Sequence, residues 1–160
     1  MNCRVFIKNI FLIAFAALIL SACATKTASI KGQMQGDVYT GTDTVEYLAK
    51  GVPDRVFFAT NESVLTTAAR DTLRKQAGWM RKNSELSFTI EGHADERGTR
   101  EYNLALGERR ANAAKDYLMT YGISQNRLSV ISYGKERPVN SGSNPLAWSQ
   151  NRRSVTVKAN

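Results

Sequence analysis

The side chains best suited to chemistry lie between Glu91 and Arg110, where acidic and basic residues are interspersed with glycine. We expect Asp95 in a loop that follows a strand, and Arg110 on the helix after that loop. Arg110 shares a helix face with Asn103, since seven residues make about two turns, and Leu106 falls between them. A carboxylate and a guanidinium held close together can bind a zwitterionic group, the carboxylate taking the ammonium and the guanidinium the carboxylate. The pattern therefore predicts a site for a ligand that carries both charges.

The same pair of residues also has a purely structural interpretation. Asp95 and Arg110 could form a salt bridge that holds the loop against the helix, and the two roles are compatible because a clamp can pair internally when it is empty. Arg109, Arg152 and Arg153 are weaker candidates for the site, because exposed arginines usually just face solvent. We expect at least one of these three to be structural.

Catalytic arrangements find little support in the sequence. Glu91, Asp95 and Glu96 could suggest paired carboxylates for glycoside cleavage, but Glu91 and Asp95 straddle a turn and nothing sets the separation that such chemistry needs. The chain has no Gly-x-Ser-x-Gly motif, and His93 is its only histidine, whereas metal catalysis needs several ligands. We expect His93 to be a structural loop residue, the protein not to be an enzyme, and no cofactor or metal to be required.

Two helices and a strand are expected to hold these residues in place. Ser63 is suited to be an N-cap, and apolar residues at helical spacing behind it predict a helix over 64–82. Alternation of apolar and polar residues predicts a strand over 86–91, so the loop covers 92–99. Small and apolar residues then recur at intervals of three and four, which predicts a second helix over 100–121 that Gly122 ends.

Three further β-type segments complete the expected fold. They cover 55–58, 128–133 and 154–159, with a short helical turn near 146–150 before the last. Strands that alternate with helices indicate that the helices pack against one sheet. We therefore predict one globular domain over 51–160, an α/β two-layer sandwich with helices mainly on one face.

The first 22 residues are typical of an export signal. Arg4 and Lys8 precede an apolar run of 11 residues, from 10 to 20, whereas a membrane-spanning helix needs about 20. A permanent transmembrane anchor is the alternative. The run ends in Leu-Ser-Ala before Cys23, which resembles a lipobox, the sequence at which bacterial lipoprotein precursors are lipidated and cut. Cys3 leaves with the signal, so Cys23 has no partner for an internal disulfide, and lipidation gives it a role.

An ordinary secretory signal with an incidental Cys23 is the other interpretation of this region. The residues from Cys23 to about 50 are rich in polar and small types, which predicts a flexible tether. Without the signal, the chain carries 20 basic and 14 acidic residues, a net charge of +6 that suits a polyanionic partner. Nucleic acid is one such partner, but the chain has no recognised nucleic-acid-binding motif and an export signal argues against it.

One region of the chain resembles a known family. The run TIEGHADERGT at 89–99 is followed by YNL at 102–104 and GERRAN at 107–112, and two more segments agree, SYGKERP at 132–138 and NRR at 151–153. Together they resemble the peptidoglycan-binding signature of the OmpA C-terminal-like family, in the expected order over 52–160. The resemblance implies the element order β-α-β-α-β-β, with a mixed sheet.

The resemblance also implies a ligand and its site. The family binds peptidoglycan without catalysis, through the diaminopimelate of the stem peptide, at the positions of Asp95 and Arg110. It adds supporting residues at Arg97, Thr99, Asn103 and Leu106. Relatives usually carry an aromatic residue and an aspartate at the positions of Thr60 and Asn61, so this chain lacks one charged contact to the ligand's ammonium. We expect this departure to affect affinity more than fold.

The lipobox directs the resemblance to the lipoprotein branch of the family. This implies a protein held in the outer membrane by lipid on Cys23 and facing the periplasm, because Ala24 replaces the aspartate that retains lipoproteins in the inner membrane. It further implies that TolB and TolA of the Tol system are partners, and that the protein links the outer membrane to the wall and supports constriction at division. An OmpA-like lipoprotein of another envelope assembly, or a wall hydrolase, is the alternative.

Overall fold

The computed structural model describes residues 32–159. Its strands are β1 (Met34–Gln35), β2 (Val38–Tyr39), β3 (Tyr47–Ala49), β4 (Val52–Pro53), β5 (Arg55–Phe57), β6 (Phe88–His93), β7 (Leu128–Gly134) and β8 (Arg153–Lys158). Its helices are α1 (Thr67–Lys82), α2 (Arg100–Thr120) and α3 (Pro145–Asn151), with a 3₁₀ turn at Gln125–Arg127. Among these residues, no helix is both long and apolar enough to cross a membrane.

Four strands form the central sheet in the order β5-β8-β6-β7. β8 is antiparallel to both β5 and β6, and β6 is parallel to β7. Parallel neighbours need a long crossover, which α2 provides between β6 and β7. The mixed sheet, its element order and the packing of helices against it confirm the predicted fold.

The core lies between this sheet and helices α1 and α2. Phe88 and Ile90 of β6 are fully buried, and they meet apolar residues that recur along both helices at the predicted spacing. The buried cluster comprises Val56, Phe58, Ala69, Leu73, Ala77, Met80, Phe88, Ile90, Ala111, Ala114, Leu118, Ile123 and Leu128.

Helix α1 begins three residues later than expected. The side chain of Thr66, not that of Ser63, accepts a hydrogen bond from the backbone N–H of Ala69 at 3.1 Å and so caps the helix. Serine and threonine both cap helices well, so the path of the chain in the folded domain decides which of the two residues is the N-cap. Helix α2 begins as predicted at Arg100 and ends one residue early, at Thr120, before Gly122 with φ +83°.

Strand β6 continues two residues beyond the predicted end and includes His93. His93 is therefore a buried strand residue and not a loop residue, and Asp95 follows the sheet after a single intervening residue. The Asp95 carboxylate therefore lies directly beside the end of a central strand.

The segment 32–50 differs from the expected flexible tether. Residues 34–39 and 47–53 form two small hairpins, and Tyr39 is only 2% exposed, with its ring centroid 4.8 Å from that of Phe57. Burial of this side chain, together with the hydrogen bonds that Asp37 and Thr40 make, stabilises a segment whose composition alone suggests disorder. The expected signal, Cys23 and the rest of the expected tether lie outside the described residues.

Helix α2 approaches β6 backbone to backbone at two glycines. A Cβ on Gly107 would lie 2.4 Å from Oγ of Ser132 and 2.9 Å from the carbonyl oxygen of Gly92. A Cβ on Gly92 would lie 1.8 Å from the carbonyl oxygen of Gly107. This contact sets the distance between the helix that carries Arg110 and the strand that leads to Asp95.

We predict that Gly107→Ala lowers the free energy of unfolding by about 3 kcal/mol, because the added methyl group forces the helix away from the sheet. Urea denaturation followed by circular dichroism measures this change. The matched control is Gly78→Ala in α1, where an added Cβ meets nothing within 4 Å. That variant should gain about 0.5–1 kcal/mol from helix propensity. Equal effects of the two substitutions would contradict the close approach.

Candidate functional site

Asp95 is the centre of a cluster of charged groups at one end of the sheet. Its side chain is 9% exposed, and its carboxylate accepts hydrogen bonds from two arginines. Nε and Nη2 of Arg97 donate to Oδ1 and Oδ2 at 3.1 and 2.7 Å, and Nη1 of Arg152 donates to Oδ2 at 3.2 Å. In the part of the chain that the structure describes, no ion pair joins Asp95 to Arg110. The structural alternative, a salt bridge between Asp95 and Arg110, is therefore wrong, because Asp95 pairs with Arg97 and Arg152.

The Asp95 carboxylate is ionised near neutral pH. Burial raises its pKa, but hydrogen bonds from the side chain and backbone N–H of Arg97, and from Arg152, bring the net pKa below the usual value for aspartate. The group therefore presents a fixed negative charge at the end of β6.

Arg110 lies beneath the site and is fully buried. Its guanidinium donates to the backbone carbonyls of Glu62 at 2.8 Å, His93 at 2.8 Å and Ala59 at 3.0 Å, and its Cζ lies 5.3 Å from the centroid of the Phe58 ring. Burial lowers its pKa to about 10, so it stays charged at neutral pH. Arg110 thus joins the loop after β5 to the end of β6.

Asn103 and Leu106, which share a face of α2 with Arg110 as predicted, are also buried, at 2% and 3% exposure. The contact between Arg110 and a ligand carboxylate stays a prediction.

Arg97 and Thr60 form the accessible surface of the site. The Arg97 side chain is 42% exposed, and its Cζ lies 4.3 Å from the centroid of the Trp148 ring. Its Nη2 also lies 3.4 Å from Oγ1 of Thr60, so Arg97 spans the distance between Asp95 and the loop after β5. Arg97 is therefore the more exposed member of its ion pair with Asp95.

Two other expected site residues have structural roles here. Thr99 caps α2, since its side chain accepts a hydrogen bond from the N–H of Tyr102 at 3.2 Å. Asn103 donates to the carbonyl of Arg97 at 2.8 Å and so holds the loop in place. The exposed Asn61 has a left-handed backbone with φ +57°, a conformation that asparagine tolerates better than most residues.

The prediction that at least one of three further arginines is structural is confirmed. Arg152 is 2% exposed and also donates to the carbonyl of Phe58 at 3.1 Å, and Arg153 is 6% exposed and donates to the carbonyl of Arg137 at 3.2 Å. Arg109 is exposed, with its Cζ 6.0 Å from the centroid of the Tyr102 ring.

Asp37 is the residue of this cluster that the sequence reading missed. It lies in the turn between β1 and β2, inside the segment expected to be a tether, and its Oδ2 accepts the backbone N–H of Thr60 at 2.6 Å. Its backbone carbonyl accepts a hydrogen bond from Nη2 of Arg152. The dipeptide Gly36-Asp37 is typical of a two-residue hairpin turn, but it is a weak signal because each flanking strand has only two residues.

Two further titratable residues flank Asp95 in the sequence, Glu96 and His93. Glu96 accepts hydrogen bonds from Nε1 of Trp148 at 2.8 Å and from the hydroxyl of Ser143. Burial, with help from nearby arginines, lowers the pKa of His93 to about 3, so its ring is neutral. Over residues 32–159, no group of three or more His, Cys, Asp or Glu side chains is placed to hold a metal ion.

Comparison with known proteins covers the region that builds this site. The OmpA family model matches residues 57–152. A peptidoglycan-associated lipoprotein of Brucella melitensis is 46% identical over 148 residues, 89% of this chain and 87% of the relative. One of Rhizobium meliloti is 46% identical over 156 residues, 94% of this chain and 88% of the relative. The crystal structure of the peptidoglycan-associated lipoprotein from Burkholderia pseudomallei superposes with a TM-score of 0.65 at 34% identity, covering 66% of this chain and 90% of that one.

We predict that Arg110→Ala lowers the free energy of unfolding by about 3 kcal/mol or more, because three buried carbonyls lose their donor. The measurement is urea denaturation of the variant and the parent protein. Arg109→Ala, one position along the same helix, is the control and should change stability by less than about 0.5 kcal/mol. An Arg110→Ala variant as stable as the control would show that the guanidinium does not hold the two loops together.

Proposed function

Since the chain belongs to the OmpA family and, within it, to the peptidoglycan-associated lipoproteins, we propose that it binds peptidoglycan non-covalently at the end of the sheet where Asp95 emerges. Membership of this family makes it a binding protein and not an enzyme. As the ligand group we propose the zwitterionic end of diaminopimelate in the stem peptide.

The observation that carries this proposal is the ionised, buried Asp95 beneath an accessible cation. The carboxylate is held rigidly by the end of β6 and by Arg152, while Arg97 covers it from the solvent side. A ligand ammonium can replace the Arg97 guanidinium at Asp95 with no change in the charge of the site. The carboxylate of the same ligand group would bind to a second donor beside Asp95.

Thr60 and Asn61 extend this site on the side of the loop after β5. Thr60 offers its hydroxyl to Arg97, and Asn61 offers a neutral amide. We propose that the binding charge comes from Asp95 and that these two residues contact the ligand only through polar and backbone groups.

The anchor completes the proposal. Lipid on Cys23 would hold the protein in the outer membrane, facing the periplasm, since more than one acyl chain gives stable attachment. The protein would then link that membrane to the wall and support envelope integrity and constriction at division. As partners in the Tol system we propose TolB and TolA.

We predict that Asp95→Asn weakens binding to diaminopimelate-type peptidoglycan by about tenfold or more, because the amide removes the charge that receives the ammonium. The asparagine oxygen still accepts from Arg152, so the fold should persist. Full-length protein in detergent is mixed with purified sacculi, and the bound fraction is measured by sedimentation over a range of wall concentrations.

The matched control for this experiment is Asp116→Asn, an exposed carboxylate on α2. It removes the same charge and should bind like the parent protein. Equal losses in the two variants would point to general electrostatic attraction in place of a defined site. The supernatants are also assayed for released wall fragments, which would indicate hydrolysis.

We predict that Cys23→Ser leaves the protein unlipidated, because serine lacks the thiol that receives the lipid. Metabolic labelling with a fatty acid and fractionation of the membranes measure the change. Normal processing and outer-membrane attachment of this variant would contradict the lipid anchor, and Cys3→Ser is the control that should remain lipidated.

A further inference from the structure

A carboxylate from the protein itself lies inside the proposed wall-binding site. Oδ2 of Asp37 accepts the backbone N–H of Thr60 at 2.6 Å, and it lies 3.9 Å from Nη2 of Arg152. The Asp37 side chain is 49% exposed, so it closes the site from the solvent side. Backbone N–H groups and guanidinium groups are the donors that a free carboxylate prefers in proteins. Asp37 therefore fills a position that a ligand carboxylate could take.

Arg152 connects this carboxylate to the centre of the site. Its guanidinium is almost fully buried and lies between two acidic residues, donating to Asp95 at 3.2 Å and contacting Asp37 on the other side. Arg97 donates to Asp95 as well and reaches Thr60. Four charged groups thus alternate in sign across the site, in the order Arg97, Asp95, Arg152 and Asp37.

The two outer members of this series are the two that solvent reaches. Arg97 and Asp37 are 42% and 49% exposed, whereas Asp95 and Arg152 are 9% and 3% exposed. The outer cation satisfies the buried anion, and the outer anion satisfies the buried cation and the free N–H of Thr60. A zwitterionic ligand offers the same two charges, an ammonium for Asp95 and a carboxylate for Thr60 and Arg152.

We propose that the β1–β2 hairpin is an internal competitor of the wall ligand, with Asp37 holding the place of the ligand's carboxylate. This inference rests on the proposed function. The hairpin is short, with two strands of two residues each joined at Gly36 and Asp37, and its displacement would also expose the buried Tyr39. When an internal group occupies the site for part of the time, the apparent affinity equals the intrinsic affinity multiplied by the fraction of molecules in which the site is open.

The first test is the affinity of Asp37→Asn for a soluble muropeptide that contains diaminopimelate. Full-length parent and variant proteins in detergent are titrated with the muropeptide by isothermal calorimetry. The variant keeps an oxygen that can accept from Thr60 but loses the charge, so we expect about three- to tenfold tighter binding. Asp37→Ala, which also removes the acceptor, should bind at least as tightly as Asp37→Asn. The matched control is Asp43→Asn, an exposed aspartate of the same N-terminal segment, which should leave the affinity unchanged.

The second test is hydrogen exchange of the hairpin in the parent protein. The N–H of Thr40 donates to the carbonyl of Gln33 at 2.9 Å, which protects it while the hairpin is closed. Saturating muropeptide should speed exchange over residues 33–40, because the ligand displaces Asp37. This readout does not depend on any substitution.

Each outcome separates the competitor from other roles of Asp37. Weaker binding of Asp37→Asn, together with slower exchange of the hairpin, would overturn the proposal and make Asp37 a direct contact of the ligand's ammonium. Equal affinity of variant and parent would overturn it while the wall-binding function stands. Binding by the variant alone would support complete closure by the hairpin. Failure of both proteins to bind would overturn the proposed function and this inference with it.

Discussion

The Arg110 guanidinium is the interaction on which the geometry of the site depends. A fully buried cation is costly unless its donors are satisfied, and here three backbone carbonyls and the face of Phe58 surround it. Those carbonyls belong to Ala59 and Glu62 in one loop and to His93 at the end of β6. One buried charge therefore fixes the spacing between the loop that carries Thr60 and the strand end that carries Asp95. The close approach of Gly92 and Gly107 brings α2 near enough to the sheet for the Arg110 side chain to reach both the loop and the strand end.

Above this buried support, the site is organised by alternating charge. Asp95 and Arg152 are buried and satisfy each other in part, while Arg97 and Asp37 complete them from the solvent side. These four groups are two cations and two anions, so their charges sum to zero, and Arg110 is not one of them. Exchange of the outer pair for a zwitterion preserves that balance. A ligand with only one of the two charges would leave one buried partner incomplete, which favours a ligand that carries both.

The fold could be predicted because its signals are local and repeated. Alternation at Phe88 and Ile90 and helical spacing in α1 and α2 depend only on which face of each element is buried. The position of Asp95 just after a central strand could also be predicted, from the alternation that marks the strand. The partners of Asp95 could not be predicted from the sequence. Arg110 and Arg152 are both buried arginines, and which one reaches the carboxylate depends on backbone distances that side-chain periodicity does not encode. Asp37 was missed because it lies in a segment whose composition resembles a linker, although Tyr39 of that segment is buried against Phe57.

With the proposed lipid anchor at Cys23, the packed N-terminal hairpins would also determine how far the domain can move from the membrane. Gly32 is the first described residue, and the chain between Cys23 and Gly32 contains eight residues, which span at most roughly 30 Å when fully extended. Release of the first hairpin would add the residues from 32 to 40 and lengthen that reach by about 30 Å. Binding of the wall at the site would then lengthen the chain between the membrane and the domain in the same step that forms the attachment. Tension that pulls membrane and wall apart would favour the extended, wall-bound form, so the link would hold more firmly when it is stretched.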